Sequence, residues 1–311
     1  MRDDRPFLGI MLMLGFCVLA PLSDATAKLL GGVVPLLALL VVRFVVQAIM
    51  TGPVLVLNPE RMKLSRRMWW LMAVRTALHI AGIGLMFSAL RFLPLADAVA
   101  IAFVMPFILL LLGHLYLGEE VGLRRMAACL VGFIGTLMVI QPSFANVGAP
   151  ALFPLGVAVV FAVFMLVTRV IAREVDPISL QAINGLMASA ILVPALLIAV
   201  VVGLIRLEPS AFEPQIIWLL LAMGILGTCA HLVMTWSLRF APASTLAPMQ
   251  YLEIPVATVV GWLVFREFPN GLALVGIVVA ILAGLYIVFR EQALSRGAVR
   301  AKPRPAPPAA E

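Results

Sequence analysis

Arg43 and Glu253 each stand about ten residues inside a long apolar stretch, so helices built on those stretches carry an ionisable group near their middle. An unpaired charge at the centre of a bilayer costs roughly 2.5–3.5 kcal/mol on insertion scales; such groups persist where they pair or face a wet cavity. Opposite signs at matching depth, counted from opposite faces, make the two expected partners. They form either a structural clamp across the chain or a site for the polar part of a ligand, and one pair can serve both.

Gln250 lies one helical turn before Glu253 on the same face, Tyr251 flanks that face, and Pro248 and Pro255 remove backbone donors around it. The freed carbonyls need a cavity or a polar neighbour, which makes this interrupted helix a binding-site candidate; the alternative is a packing kink. Thr228, His231 and Thr235 follow i, i+3, i+7 spacing with Trp236 beside them, and Arg75 and His79 share a face. A histidine could couple protons, or serve as an interhelical hydrogen-bonding group. Arg43, Arg75, His79, His231, Trp236, Gln250, Tyr251 and Glu253 are therefore the candidate substrate contacts. Asp24 and Lys28, four residues apart, suit an intrahelical ion pair, and together with Asp97 they read as gate or structural residues.

Catalytic signatures do not appear: there is no HExxH, no GxSxG, no Walker loop and no Cys/His/Asp cluster. Cys17, Cys129 and Cys229 lie singly within apolar runs and read as buried inert thiols. The expectation is no enzyme, no cofactor, no metal and no self-contained ATP-driven pump.

The elements that must position these residues are set by composition. Of 311 residues, 63% are apolar and 12% charged, too little polar surface to cover a globule in water. Apolar segments fall at about 7–29, 33–57, 69–90, 95–117, 123–141, 152–173, 178–204, 215–239, 243–266 and 271–289. Each is near the roughly 20 residues a spanning helix needs and lacks the alternation of a barrel strand, so ten transmembrane helices are expected. Arg2 and Arg5 before an apolar run ending near Ala25-Thr26-Ala27 mimic a cleaved signal peptide, but the repeat described below requires this helix.

The net charge of +7 comes from loops rather than from one patch, which argues against nucleic acid and for a topology signal. With the N-terminus inside, sixteen of the 22 Lys and Arg fall on the cytoplasmic side, four (Lys28, Arg91, Arg206 and Arg266) on the other, and Arg43 and Arg75 within helices. Both termini are expected in the cytoplasm. Residues 291–311, rich in Arg, Pro and Ala, read as a disordered cytoplasmic tail near membrane lipid.

Shifting the chain by 148 residues lays Leu90, Arg91, Phe92 and Pro94 on Leu238, Arg239, Phe240 and Pro242, and Gly113 and Glu119 on Gly261 and Glu267. A shift of 141 aligns the starts of the halves, with Gly15 on Gly156, Lys28 on Arg169 and Pro53 on Pro194. Two five-helix repeats, 7–142 and 152–290, follow. Because five is odd, the second enters the membrane inverted, as in many secondary transporters with a midplane site between the halves.

These residues resemble the drug/metabolite transporter superfamily, specifically the ten-helix EamA family. The resemblance rests on the doubled unit, Leu90-Arg91-Phe92 leading to Pro94, Pro106, Gly118-Glu119, and their counterparts Leu238 to Pro242, Pro255 and Arg266-Glu267. The run 247–253, the run 265–269, Arg43-Phe44 and Arg75 look like members that take up S-adenosylmethionine or riboflavin. The resemblance implies an all-α polytopic protein of the bacterial inner membrane, a secondary transporter for a small-molecule substrate, and a homodimer could form. Export of amino acids or related metabolites is the nearest rival; a membrane-embedded structural or receptor subunit is the rival of another class, and would leave the midplane charges without purpose.

Overall fold

In a computed structural model, residues 5–118, 122–140, 148–267 and most of 271–290 are described. Eight helices are long and apolar enough to cross a membrane, and two shorter apolar helices bring the number to ten. In chain order they are α1 (Pro6–Leu30), α2 (Leu36–Leu57), α3 (Arg66–Leu90), α4 (Leu95–Leu117), α5 (Met126–Gly135, within the helix Leu123–Ile140), α6 (Leu152–Ala172), α7 (Pro177–Val201), α8 (Pro214–Phe240), α9 (Ala243–Phe265) and α10 (Leu274–Ala283). The protein is an all-α polytopic membrane protein. Large apolar side chains face outward, Ile49 at 68% and Val56 at 79% exposure among them, a surface that lipid and not water would solvate.

Helix boundaries follow local chemistry. Ser65 caps α3 by accepting from the Met68 amide at 3.2 Å, and Asp176 caps α7 by accepting from the Ser179 amide at 3.0 Å, each satisfying a donor the first turn leaves free. The second segment of α4 ends at Gly118 (φ 61°, ψ 25°) and α9 ends at Arg266 (φ 61°, ψ 24°), two left-handed caps separated by the 148-residue shift. Glycine adopts this geometry freely, whereas Arg266 holds it against the Cβ clash that disfavours it. Trp70, near the start of α3, and Trp218, near the start of α8, are separated by the same 148 residues and are 69% and 71% exposed, the placement amphipathic rings favour near helix ends in a membrane.

Packing runs across the halves. α1 packs most extensively on α8, α2 on α7 and α3 on α6, with α4 on α6 and α1 on α9 adding to the contact. Exchanging α1 with α6, α2 with α7, α3 with α8 and α4 with α9 maps this set of pairings onto itself: α1–α8 becomes α3–α6, α4–α6 becomes α1–α9, and α2–α7 is unchanged. Small residues set the closest approaches: a methyl on Gly224 of α8 would lie 2.7 Å from Val46 Cβ of α2, and one on Gly185 of α7 2.9 Å from the Ala48 nitrogen.

Candidate functional site

Two helices are broken near mid-membrane. α4 is interrupted between Ala102 and Met105, just before Pro106, and α9 runs as a short helix, Ala243–Leu246, then a 3₁₀ segment, Ala247–Leu252, then a helix from Glu253. The break puts Glu253 in the first turn of the final segment, where the helix dipole favours a carboxylate. Glu253 opens onto a cavity together with Ser23, Asp24, Arg43 and His231. Its apolar wall carries Phe16, Phe87, Phe103 and Phe161. Within the described residues Asp24 and Glu253 receive no hydrogen bond and form no ion pair, so two carboxyl groups face the cavity bare.

Arg43 faces them but is held elsewhere. Nη1 donates to Gln47 Oε1 at 3.1 Å and Thr228 Oγ1 at 3.4 Å, and Nη2 lies 3.1 Å from His231 Nδ1. His231 Nδ1 also lies 3.0 Å from the Gly227 carbonyl, so it accepts from the Arg43 guanidinium in one tautomer and donates to that carbonyl in the other. Gly227 makes this possible: any Cβ there would run into Arg43 Nε. The expected Arg43–Glu253 contact is thus absent; the two share one cavity without coming within ion-pair distance. Hydrogen bonds to neutral side chains already satisfy much of Arg43, leaving one cation and two carboxyls presented to a ligand.

Behind the cavity, toward the end of the bundle that carries Asp176, lies a buried polar layer. Gln47 donates to the Gln181 carbonyl and side chain at 2.9 and 3.0 Å, and Gln181 donates to Thr235 at 3.3 Å. Arg75 Nε donates to Thr168 at 2.9 Å, its Nη1 to Asn184 Oδ1, and His79 Nδ1 lies 3.3 Å from the same oxygen. Arg75, Asn184, Gln181, Thr168 and Thr235 are all 0% exposed. His79 lies tilted against His231 with ring centroids 4.4 Å apart, joining layer to cavity, and the Arg75 guanidinium covers Phe164 at 4.6 Å. Within the described residues Arg75 Nη2, Asn184 Nδ2, and Nε2 of both histidines have no hydrogen-bond partner, at about 1–3 kcal/mol each.

Of the sequence candidates, Arg43, His231, Glu253 and Asp24 line the cavity, whereas Arg75 and His79 belong to the layer behind it. Gln250 is turned away, donating to Met165 Sδ at 3.1 Å; Tyr251 packs on Phe103 at 5.6 Å; Trp236 is half-buried outside the cavity lining. Lys28 does not pair with Asp24 but binds Glu267 Oε1 at 2.6 Å and covers Phe265 at 4.6 Å, and Glu267 Oε2 accepts from the Leu95 amide at 3.1 Å. Asp97, in the first turn of α4, is near both. The mid-bundle phenylalanines, Gln47 and Asn184 escaped the sequence reading because nothing in a run of apolar residues says which face turns inward. Glu267 had a signal in its repeat mate Glu119.

A family model described as "EamA-like transporter family" matches residues 7–141 and again 149–290. A riboflavin transporter of Brucella anthropi is 28% identical over 256 residues, covering 82% of this chain and 89% of that one. An S-adenosylmethionine uptake transporter of Rickettsia prowazekii is 24% identical over 285 residues, 91% and 93% of the two chains. A pseudopaline exporter of Pseudomonas aeruginosa is 26% identical over 231 residues, 74% and 78%. A solved crystal structure aligns with a TM-score of 0.69 at 18% identity over 94% of this chain and all of the other, a likeness of fold.

Proposed function

The chain belongs to the EamA-like transporter family and moves a small metabolite across a membrane, and on that premise we propose that it takes up a ring-bearing metabolite with a mixed-charge tail, S-adenosylmethionine being the better fit. The observation that carries this reading is the pair of bare carboxyls, Asp24 and Glu253, sharing an aromatic-walled cavity with Arg43. A sulfonium and an ammonium would neutralise the carboxyls, a carboxylate would meet Arg43, and a purine would lie against the phenylalanines. Riboflavin is the second reading, favoured by the 28% identity to a riboflavin transporter: its flat ring suits the same wall, with Arg43 donating to carbonyl oxygens. Uptake proceeds across the bacterial inner membrane, with both termini cytoplasmic, in support of which stands the sixteen-to-four loop bias among 22 Lys and Arg.

Proteoliposomes offered labelled S-adenosylmethionine, riboflavin or an amino-acid panel test it. Saturable S-adenosylmethionine uptake, cut at least tenfold by Asp24→Asn or Glu253→Gln with normal membrane abundance, is the expected result. Saturable riboflavin uptake with S-adenosylmethionine excluded would install the second reading; net efflux of amino acids would overturn both.

A further inference from the structure

The cavity runs from the middle of the bundle toward one end. Its residues lie toward the end where Lys28 meets Glu267: Asp24 is six residues from the last residue of α1, and Phe87 three from the last of α3. The polar layer lies toward the other end, where Arg61 meets Asp176 at 2.8 Å; Asn184 is seven residues into α7, roughly 10 Å from that end. A cargo leaving the cavity toward that end must pass the layer.

A sealed interior has no use for a fully buried guanidinium with a spare arm, nor for an amide and two imidazoles with spare atoms. Lipid-surrounded helices that never separate would be cheaper with apolar packing there. Those spare atoms gain partners once water or cargo enters. Arg75 draws only on neutral acceptors, Thr168 and Asn184, so its charge is left for an incoming group.

We propose that the Arg75–Asn184–Gln181–Thr235 layer is the closed half of the permeation route, and that Arg75 is a second docking station there, taking a carboxylate or carbonyl end of the cargo after the halves rearrange. The cargo's acceptor end passes from Arg43 to Arg75, with the two touching histidines between the arginines. This rests on the transporter assignment alone and not on which metabolite is carried.

Thr235→Cys places a thiol in the layer and Ser23→Cys one in the cavity; a membrane-impermeant maleimide is applied to right-side-out and inside-out vesicles, with the parent's three cysteines as baseline. The Ser23→Cys thiol should label from one face and the Thr235→Cys thiol only from the other, several-fold faster when Arg61→Gln weakens the seal at that end. A Thr235→Cys thiol inert from both faces in both backgrounds, or reactive from the cavity face, overturns the route. For the station, half-saturation is measured from each face with whichever of S-adenosylmethionine or riboflavin is carried. Arg75→Gln should raise it at least fivefold on the layer face and less than twofold on the cavity face. Equal loss of maximal rate on both faces would make Arg75 structural and overturn the station. Arg75→Lys, keeping the charge without the fork, should fall between and serves if the glutamine variant does not reach the membrane. If neither metabolite is carried, the substrate reading fails while the labelling result still stands.

Discussion

Gly227→Ala adds a single methyl in the middle of α8, and its effect follows from one contact. The new carbon would overlap Arg43 Nε and sit 2.8 Å from Cζ and 2.9 Å from Nη2, well inside ordinary packing distance. The guanidinium is the mobile end of a side chain, so it could step aside were it free. It is 1% exposed and bound to Gln47, Thr228 and His231, and moving it breaks the two contacts on the α8 side, to Thr228 and His231. Hydrogen bonds to a charged group are worth about 1.5–3 kcal/mol, so losing one to two of them costs roughly 1.5–6 kcal/mol, shared between stability and ligand binding. The assay pairs thermal unfolding of the purified protein with uptake in proteoliposomes. Gly227→Ala should lower transport at least tenfold, and Arg43→Lys in the same chain should recover part of it, because an ammonium on a thin stem fits beside the methyl. A Gly227→Ala protein with wild-type stability and uptake would show that the Arg43 placement is incidental to function.

Asp176→Ala removes both the α7 cap and an exposed ion pair, so it should cost about 1–2 kcal/mol, while Arg61→Ala, losing the pair and a long 3.4 Å hydrogen bond to Ser179 but not the cap, should cost under about 1 kcal/mol in thermal melts; equal losses would discount the cap. Arg266→Gly relieves the left-handed strain and should raise stability by about 1 kcal/mol, read as a higher melting temperature; a lower one would mean that the Arg266 side chain holds contacts worth more than the strain. Glu267→Gln weakens the link to Lys28 and the α4 amide, and should destabilise by about 1–2 kcal/mol at low salt and less at high salt; an effect indifferent to salt would remove the ion pair from the account. A cysteine at Arg66 should resist impermeant labelling from outside intact cells, and efficient labelling there would reverse the proposed orientation.

Most of the architecture was legible because lipid leaves so few options: ten apolar runs of spanning length can only be helices, and a 148-residue shift that carries Gly118 onto Arg266 and Trp70 onto Trp218 also carries over their backbone shape and exposure. The site was legible in its charges and not in its partners. Depth along a helix picks out Arg43 and Glu253, but partnership depends on rotation about the axis, and α8 turns Thr228 and His231 toward Arg43 before α9 can reach it. The same limit explains Lys28, where spacing favoured Asp24 but the chain 239 residues later brings Glu267 closer. Phe16 and Phe161 resembled the apolar residues around them until packing turned both toward the cavity.

The cross-half pairing of α1 with α8, α2 with α7 and α3 with α6 has a consequence for biosynthesis. At about 5–20 residues per second, the ribosome needs roughly 10–30 s after finishing the first five helices to complete the second five. Throughout that interval α1, α2 and α3 have entered the bilayer without their principal partners, leaving Arg43 and Arg75 without Thr228, His231, Thr168 or Asn184. The nascent half must therefore be sheltered from quality-control proteases or held by the insertion machinery, and two separately expressed halves should accumulate only when made together.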